Sequence, residues 1–156
     1  MQLFIGGGED YQPGYVNLDI YQKPCDVRGD ISHLPFTDNS FVEIQCHHVL
    51  EHLTRDDAVL AAGEFLRVLC PGGQLCLSVP DIIGVIRAIV SGEIDWAHGI
   101  EMFYGRQDYE ANTHRWGYWG GSLKELMEGC GFITQQCLSN LKYRPAPSII
   151  YVGRKP

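Results

Sequence analysis

Three consecutive glycines, Gly6, Gly7 and Gly8, separate an apolar stub, Leu3-Phe4-Ile5, from a second apolar stretch that begins near Val16 and closes on Asp19. The stub reads as a buried strand. A glycine cluster at its carboxyl end lets the backbone approach a ligand where a Cβ would collide. An acidic side chain closing the next strand is placed to accept hydrogen bonds from the two hydroxyls of a ribose, as in nucleotide-binding α/β sheets. The same residues also describe a glycine turn followed by a surface aspartate, because short glycine motifs recur by chance. The rest of the chain has to decide.

At 156 residues the chain reads as one domain, residues 1–156, long enough to bury about two thirds of its unfolded surface. A hydrophobic content of 45% with 20% charged residues is that of a globular domain, and no uninterrupted apolar run approaches the ~20 residues of a membrane span. The first strand starts almost at the amino terminus, which predicts no secretory leader and a cytoplasmic location. Cys25, Cys46, Cys70, Cys76, Cys130 and Cys137 lack close paired spacing and are expected to be reduced. A net charge of -7 argues against a phosphate-backbone partner, since nucleic-acid binding depends on clustered Lys and Arg. Arg87, Arg106, Arg115, Lys142 and Arg144 are scattered. A small molecule is the expected partner.

Strand and helix signals alternate through the first half, which predicts a parallel sheet with helices packed on it. Strands are expected near residues 2–6, 15–20, 41–47 and 74–79, with a weak one just before Asp30. A helix is expected from Asp56 to Leu69. Thr54 and Asp57 form its capping box, Pro71-Gly72-Gly73 stop it, and Val59, Leu60, Gly63, Leu66 and Leu69 or Cys70 mark its inward face. A second helix should follow Asp81, with Ile82, Val85, Ile86 and Ile89 inward, and Asp81 as its cap. Residues 92–121 are less regular and rich in aromatics, which suits a pocket wall, an oligomer contact or a sealed core.

A helix from Ser122 to about Cys130 carries a second capping box, Ser122 with Glu125. Residues 132–138 and 148–153 read as two strands joined by a loop containing Pro145 and Pro147. That loop is too short for a crossover helix, so this pair should be antiparallel. The same argument strains the first crossover, where only seven residues lie between Gly8 and Val16. An irregular loop is the expected solution, because it lands Asp19 beside the glycines.

With these pieces in order, the chain resembles the class I S-adenosylmethionine-dependent methyltransferases, in particular the small Rossmann-like, type 11-like domains. The resemblance spans nearly the whole chain. It rests on Ile5 to Gly8, Pro13 to Asp19, Asp30 through Leu34-Pro35-Phe36, Asp38 to Phe41, His48 to Leu53, Arg67 to Gly73, and Gly131-Phe132. It implies an α/β fold, Rossmann-like and doubly wound, with a mostly parallel sheet and a C-terminal antiparallel strand pair. It implies S-adenosyl-L-methionine as cofactor, with Gly6, Gly7 and Gly8 facing the methionine part. Asp19, with Ile20 beside it, would bind the ribose, Asp30 and Ile31 would meet the adenine, and Cys46, His47 and His48 would pass near the sulfonium. Two positions depart from the family pattern. Phe4 stands where an acidic or amide residue is usual, and Asp10 where a third loop glycine is common.

Methyl transfer to a carbon activated by positive sulfur requires alignment and exclusion of water more than a strong base. For a hydroxyl acceptor, a histidine near the sulfonium would take the proton. His48 and His114 are the candidates, each with a structural alternative: a hydrogen bond at a helix start for His48, a surface loop for His114. Arg115, Trp116 and Tyr118, completed by Tyr104 and Gln107, are the expected acceptor wall. A small-molecule or glycan-type acceptor suits an acidic, aromatic-walled pocket, and a homo-oligomer is one way to roof a site on so short a chain.

His48-Val49-Leu50-Glu51-His52 matches the H-x-x-E-H string of inverted zinc peptidases. That architecture is far larger than this chain, and the family resembled has a similar string here, so no metal is expected. A nicotinamide dehydrogenase would need G-x-G-x-x-G opening a helix, which Pro13 and the short linker oppose. The remaining alternative is a non-catalytic methyltransferase-fold protein serving as a binding or interaction module, to which Phe4 and Asp10 lend weight.

Overall fold

The computed structural model describes the chain apart from Glu9, Gln22, Lys23, Arg144 and Pro145, and apart from the side chains of Glu110 and of residues 140–146. The expected tip of the last hairpin at Pro145, and the basic side chains of Lys142 and Arg144, lie outside the described residues. Seven strands form one sheet: β1 (Gln2–Ile5), β2 (Val16–Asp19), β3 (Val27–Arg28), β4 (Phe41–His47), β5 (Leu69–Pro80), β6 (Ile133–Tyr143) and β7 (Ala146–Arg154). Among the described residues four α-helices accompany it: α1 (Arg55–Val68), α2 (Ile82–Val90), α3 (Trp96–Tyr104) and α4 (Gly120–Gly129).

The strand order is β3-β2-β1-β4-β5-β7-β6. Strands β1 to β5 pair in parallel, and β7 inserts antiparallel between β5 and β6. This is the expected mostly parallel sheet ending in an antiparallel pair. From β1 the chain winds outward through β2 and β3, then returns to β4 on the other side, so the winding reverses between β1 and β4. Open α/β sheets bind ligands at the carboxyl ends of the strands beside such a reversal.

The short crossover is an irregular loop, as its length requires. Asn17, buried within β2, holds it: its Oδ1 accepts from the Gln12 amide at 2.8 Å, and its Nδ2 donates to the carbonyls of Gln12 and Tyr15. The Asp26 carboxylate accepts from the Asn17 amide at 2.8 Å and from the Tyr11 hydroxyl at 2.9 Å, tying the loop to the next turn. Side-chain hydrogen bonds here replace the crossover helix.

Helix α1 starts where the capping residues predict, with Thr54 Oγ1 accepting from the Asp57 amide at 3.2 Å. Its inward face differs from the expected one. Ala58, Ala61, Ala62, Phe65 and Val68 are buried, whereas Val59 and Leu60 are about half exposed. Both stripes have helical spacing, and the sheet takes the one whose small alanines allow close approach while Phe65 and Val68 fill the core. Helix α2 likewise buries Gly84, Val85 and Ala88 and leaves Ile86 exposed.

Helix α3 was not expected. Asp95 caps it, accepting from the His98 amide at 2.8 Å. Helix α4 begins two residues before the expected start, so Ser122 sits inside its first turn, where its hydroxyl bonds the backbone of Trp119. Helix α1 packs on β5, α4 on β6 and β7, and α3 on α2. All six cysteines are free thiols. Among the described residues, no helix is long and apolar enough to cross a membrane.

Candidate functional site

A cleft of about 370 Å³ opens at the carboxyl ends of β1 to β4, at the winding reversal. Ile5 at the end of β1 and Gly6 and Gly8 after it line the cleft with Leu18, Asp19 and Ile20 at β2; Gly29, Asp30 and Ile31 follow β3. His48, Val49, His52 and Leu53 close one side, and Tyr109, Ala111 and Arg115 come from the irregular segment.

The glycines have separate jobs. A Cβ on Gly6, whose φ is +68°, would collide with Val49, and one on Gly7 with the Asp10 carbonyl and the Phe4 ring, so packing demands glycine at both. Gly8 has open space around it but a φ of +60°, so its requirement is backbone conformation at the mouth of the cleft. The Gly8 amide donates to Asp19 Oδ2 at 3.3 Å, and the Tyr21 amide to Asp19 Oδ1 at 2.8 Å, which orients the carboxylate at the end of β2. Asp30 Oδ1 accepts from the Ser32 amide at 2.8 Å, and buried Ile31 offers an apolar surface next to it. Phe4 lies under the loop, its ring against Tyr15 and His47. Packing thus supports the loop where the family pattern places a polar group.

Gly6, Gly8, Asp19, Ile20, Asp30, Ile31, His48 and Arg115 of the expected site residues come together in this cleft. Gly7 backs the loop. His47 is not on the cleft wall, and its Nδ1 lies 3.1 Å from Ser78 Oγ. Tyr104 and Gln107 are exposed, joined by a 3.3 Å bond from Gln107 Nε2 to the Tyr104 carbonyl. Trp116 is half exposed with the Arg55 guanidinium 5.9 Å from its ring centroid, and Tyr118 is buried in the core.

His48 departs from its neighbours in backbone. Its φ of +54° is a left-handed conformation that a residue with a Cβ adopts at a cost, and it turns the chain out of β4. Its Nδ1 lies 3.2 Å from Oε1 of Glu51, which is buried. Burial pushes the Glu51 carboxyl up, but His48 and the neighbouring histidine charges pull it down further, leaving it below the ordinary glutamate value. His114 packs edge-on against His52, ring centroids 4.9 Å apart. Burial lowers its pKa, and the Glu51 charge opposes that shift. The amides of Arg115 and Trp116 donate to the Glu51 carbonyl at 2.8 and 3.2 Å, which brings the irregular segment back onto the turn after β4. In the sequence Glu51 and His52 stand out as part of the H-x-x-E-H string and of the His48 to Leu53 segment that carries the family resemblance, with no site role assigned to either.

Comparison with known proteins bears on the fold. Residues 10–77 match the family model described as a methyltransferase domain. Over its whole length the chain superposes on solved S-adenosylmethionine-dependent methyltransferases. One from Methanosarcina mazei gives a TM-score of 0.71 at 17% identity, covering 99% of this chain and 91% of that one. This is a methyltransferase fold. The 1,6-didemethyltoxoflavin-N1-methyltransferase of Burkholderia thailandensis, solved with bound 1,6-didemethyltoxoflavin and S-adenosylhomocysteine, gives a TM-score of 0.67 at 14% identity over 99% of this chain and 70% of that one. Among curated proteins, an uncharacterised methyltransferase of Schizosaccharomyces pombe is 43% identical over 60 residues, which are 38% of this methyltransferase-fold chain and 21% of that relative. The chain therefore matches about a fifth of that relative's length. The expected resemblance and fold class are borne out.

Proposed function

We propose that this chain is an S-adenosyl-L-methionine-dependent methyltransferase, acting in the cytoplasm on a small-molecule or glycan-type acceptor. The observation that carries the reading is the oriented Asp19 carboxylate beside the left-handed Gly8, at the winding reversal of the sheet. The residues fit the cofactor. A carboxylate accepts at about four lone-pair positions, so Asp19 on the cleft wall can take ribose hydroxyls beside its backbone donors. Asp30 and Ile31 offer an acceptor and an apolar face suited to adenine, and the open space at Gly8 admits the methionine part. The Burkholderia neighbour, with S-adenosylhomocysteine bound on the same fold, supports this choice.

The bound cofactor supplies a methyl group already activated by positive sulfur. The protein's share is alignment of the acceptor and control of its proton. For His48, on the cleft wall with Glu51 against its Nδ1, to take a proton from an acceptor hydroxyl, its ring must turn the buried Nε2 toward the cleft. Arg115 lines the acceptor side. Calorimetric titration with S-adenosylhomocysteine tests the reading: saturable binding is expected. No heat at millimolar ligand would overturn it in favour of the non-catalytic binding module.

A further inference from the structure

The fold brings together Glu51, His52 and His114, although His114 is far from the other two in sequence. One ligand atom from each lies within 4.8 Å of the others. We infer that these three side chains bind one first-row divalent cation in the wall of the cleft.

The hydrogen bonding of both imidazoles suits ligation. His52 Nδ1 lies 3.2 Å from the Thr113 carbonyl, and His114 Nδ1 lies 2.9 Å from the Met102 carbonyl. A carbonyl only accepts, so both Nδ1 atoms carry a proton, and in the neutral imidazole that leaves Nε2 as the nitrogen with the lone pair. Metal-ligating histidines are oriented by this kind of outer bond. Between them stands a carboxylate that is 1% exposed. Its Oε2 has no hydrogen-bond partner among the described residues, and its Oε1 has only the 3.2 Å contact with His48. A buried carboxylate with an oxygen left over is costly unless a cation completes it.

Two imidazoles and one carboxylate, with no thiolate, are the donor set of Mn²⁺, Fe²⁺, Co²⁺, Ni²⁺ or Zn²⁺ rather than of the all-oxygen cations Ca²⁺ and Mg²⁺. Ligands about 2.1 Å from a metal sit roughly 3 to 3.5 Å from one another, so side-chain movements of about an ångström close the set. Three protein ligands leave positions open, and His52 lines the cleft. The ligand class for the open position is therefore an oxygen donor in the cleft, water or a hydroxyl, which the cation would make more acidic.

Untagged protein, stripped with chelator and desalted, is titrated with Zn²⁺ and Co²⁺, and the zinc-loaded protein is examined by X-ray absorption. One equivalent and an imidazole-containing nitrogen and oxygen shell are expected. His114→Ala should lower affinity at least about tenfold, while His33→Asn, outside the cluster, leaves it unchanged. Sub-stoichiometric uptake at micromolar metal, equal affinity in folded His114→Ala, or a sulfur shell would overturn the site. If His114→Ala does not fold, the absorption spectrum of the wild-type protein decides. Metal uptake without S-adenosylhomocysteine binding would keep this inference and sink the preceding function; the reverse would do the opposite.

Discussion

The Gly8 amide donates to Asp19 Oδ2 across the gap between the β1 and β2 strand ends, at 3.3 Å. One contact thus joins the loop that must stay open to the carboxylate that must stay oriented. Asp19→Ala should weaken S-adenosylhomocysteine binding by about 1.5 to 3 kcal/mol, the worth of hydrogen bonds to a charged group. Calorimetry on folded variant protein checks this, and an unchanged affinity would remove Asp19 from the site.

Gly6 and Gly8 predict different failures on substitution by alanine. At Gly6 the new Cβ meets Val49 as well as an unfavourable φ of +68°, so the melting temperature should drop most there. At Gly8 the space is open and only backbone strain of roughly 1 to 2 kcal/mol applies. Thermal unfolding of the two variants separates packing from conformation; equal losses would contradict the division of labour.

The inward face of α1 is testable by stability. Phe65→Ala should cost about 3 to 5 kcal/mol, as for other buried aromatics. Leu60→Ser, on the exposed face, should stay within about 0.5 kcal/mol of wild type. Denaturant melts would reverse this order if the face carrying Val59 and Leu60 were the packed one.

Arg67 ties α1 to the segment before β4. Its Nε donates to Glu64 Oε1 at 2.7 Å and its Nη1 to Asp38 Oδ1 at 2.8 Å, while Glu64 Oε2 accepts from the Leu34 amide. The Arg67 hydrogen bond lowers the Glu64 carboxyl below its ordinary value of 4.5, against a smaller upward push from burial. A carboxyl lowered in the folded state stabilises above its unfolded pKa, and that contribution is lost as pH falls through the folded value. Glu64→Gln should therefore be less stable than wild type at neutral pH, and the gap should close below about pH 4. A gap that stays constant with pH would assign the loss to packing.

The cleft's first half could be read from the sequence because its demands are local. Glycines at a strand end, an acid closing the next strand and a linker too short for a helix each restrict the backbone within a few residues. Loop length likewise announced the antiparallel β6–β7 pair. The sheet-facing side of α1 was beyond such reading, since both stripes share the helical period and only the distance of approach to the sheet separates Ala58, Ala61 and Ala62 from Val59 and Leu60.

The meeting of His114 with Glu51 and His52 is a product of tertiary structure alone. It requires α3, whose Met102 carbonyl holds His114, and the two amides of Arg115 and Trp116 that close on the Glu51 carbonyl. Sequence periodicity reports which residues share a face of one element. Which side chains from distant segments share a pocket depends on long-range hydrogen bonds that form only once the sheet is assembled.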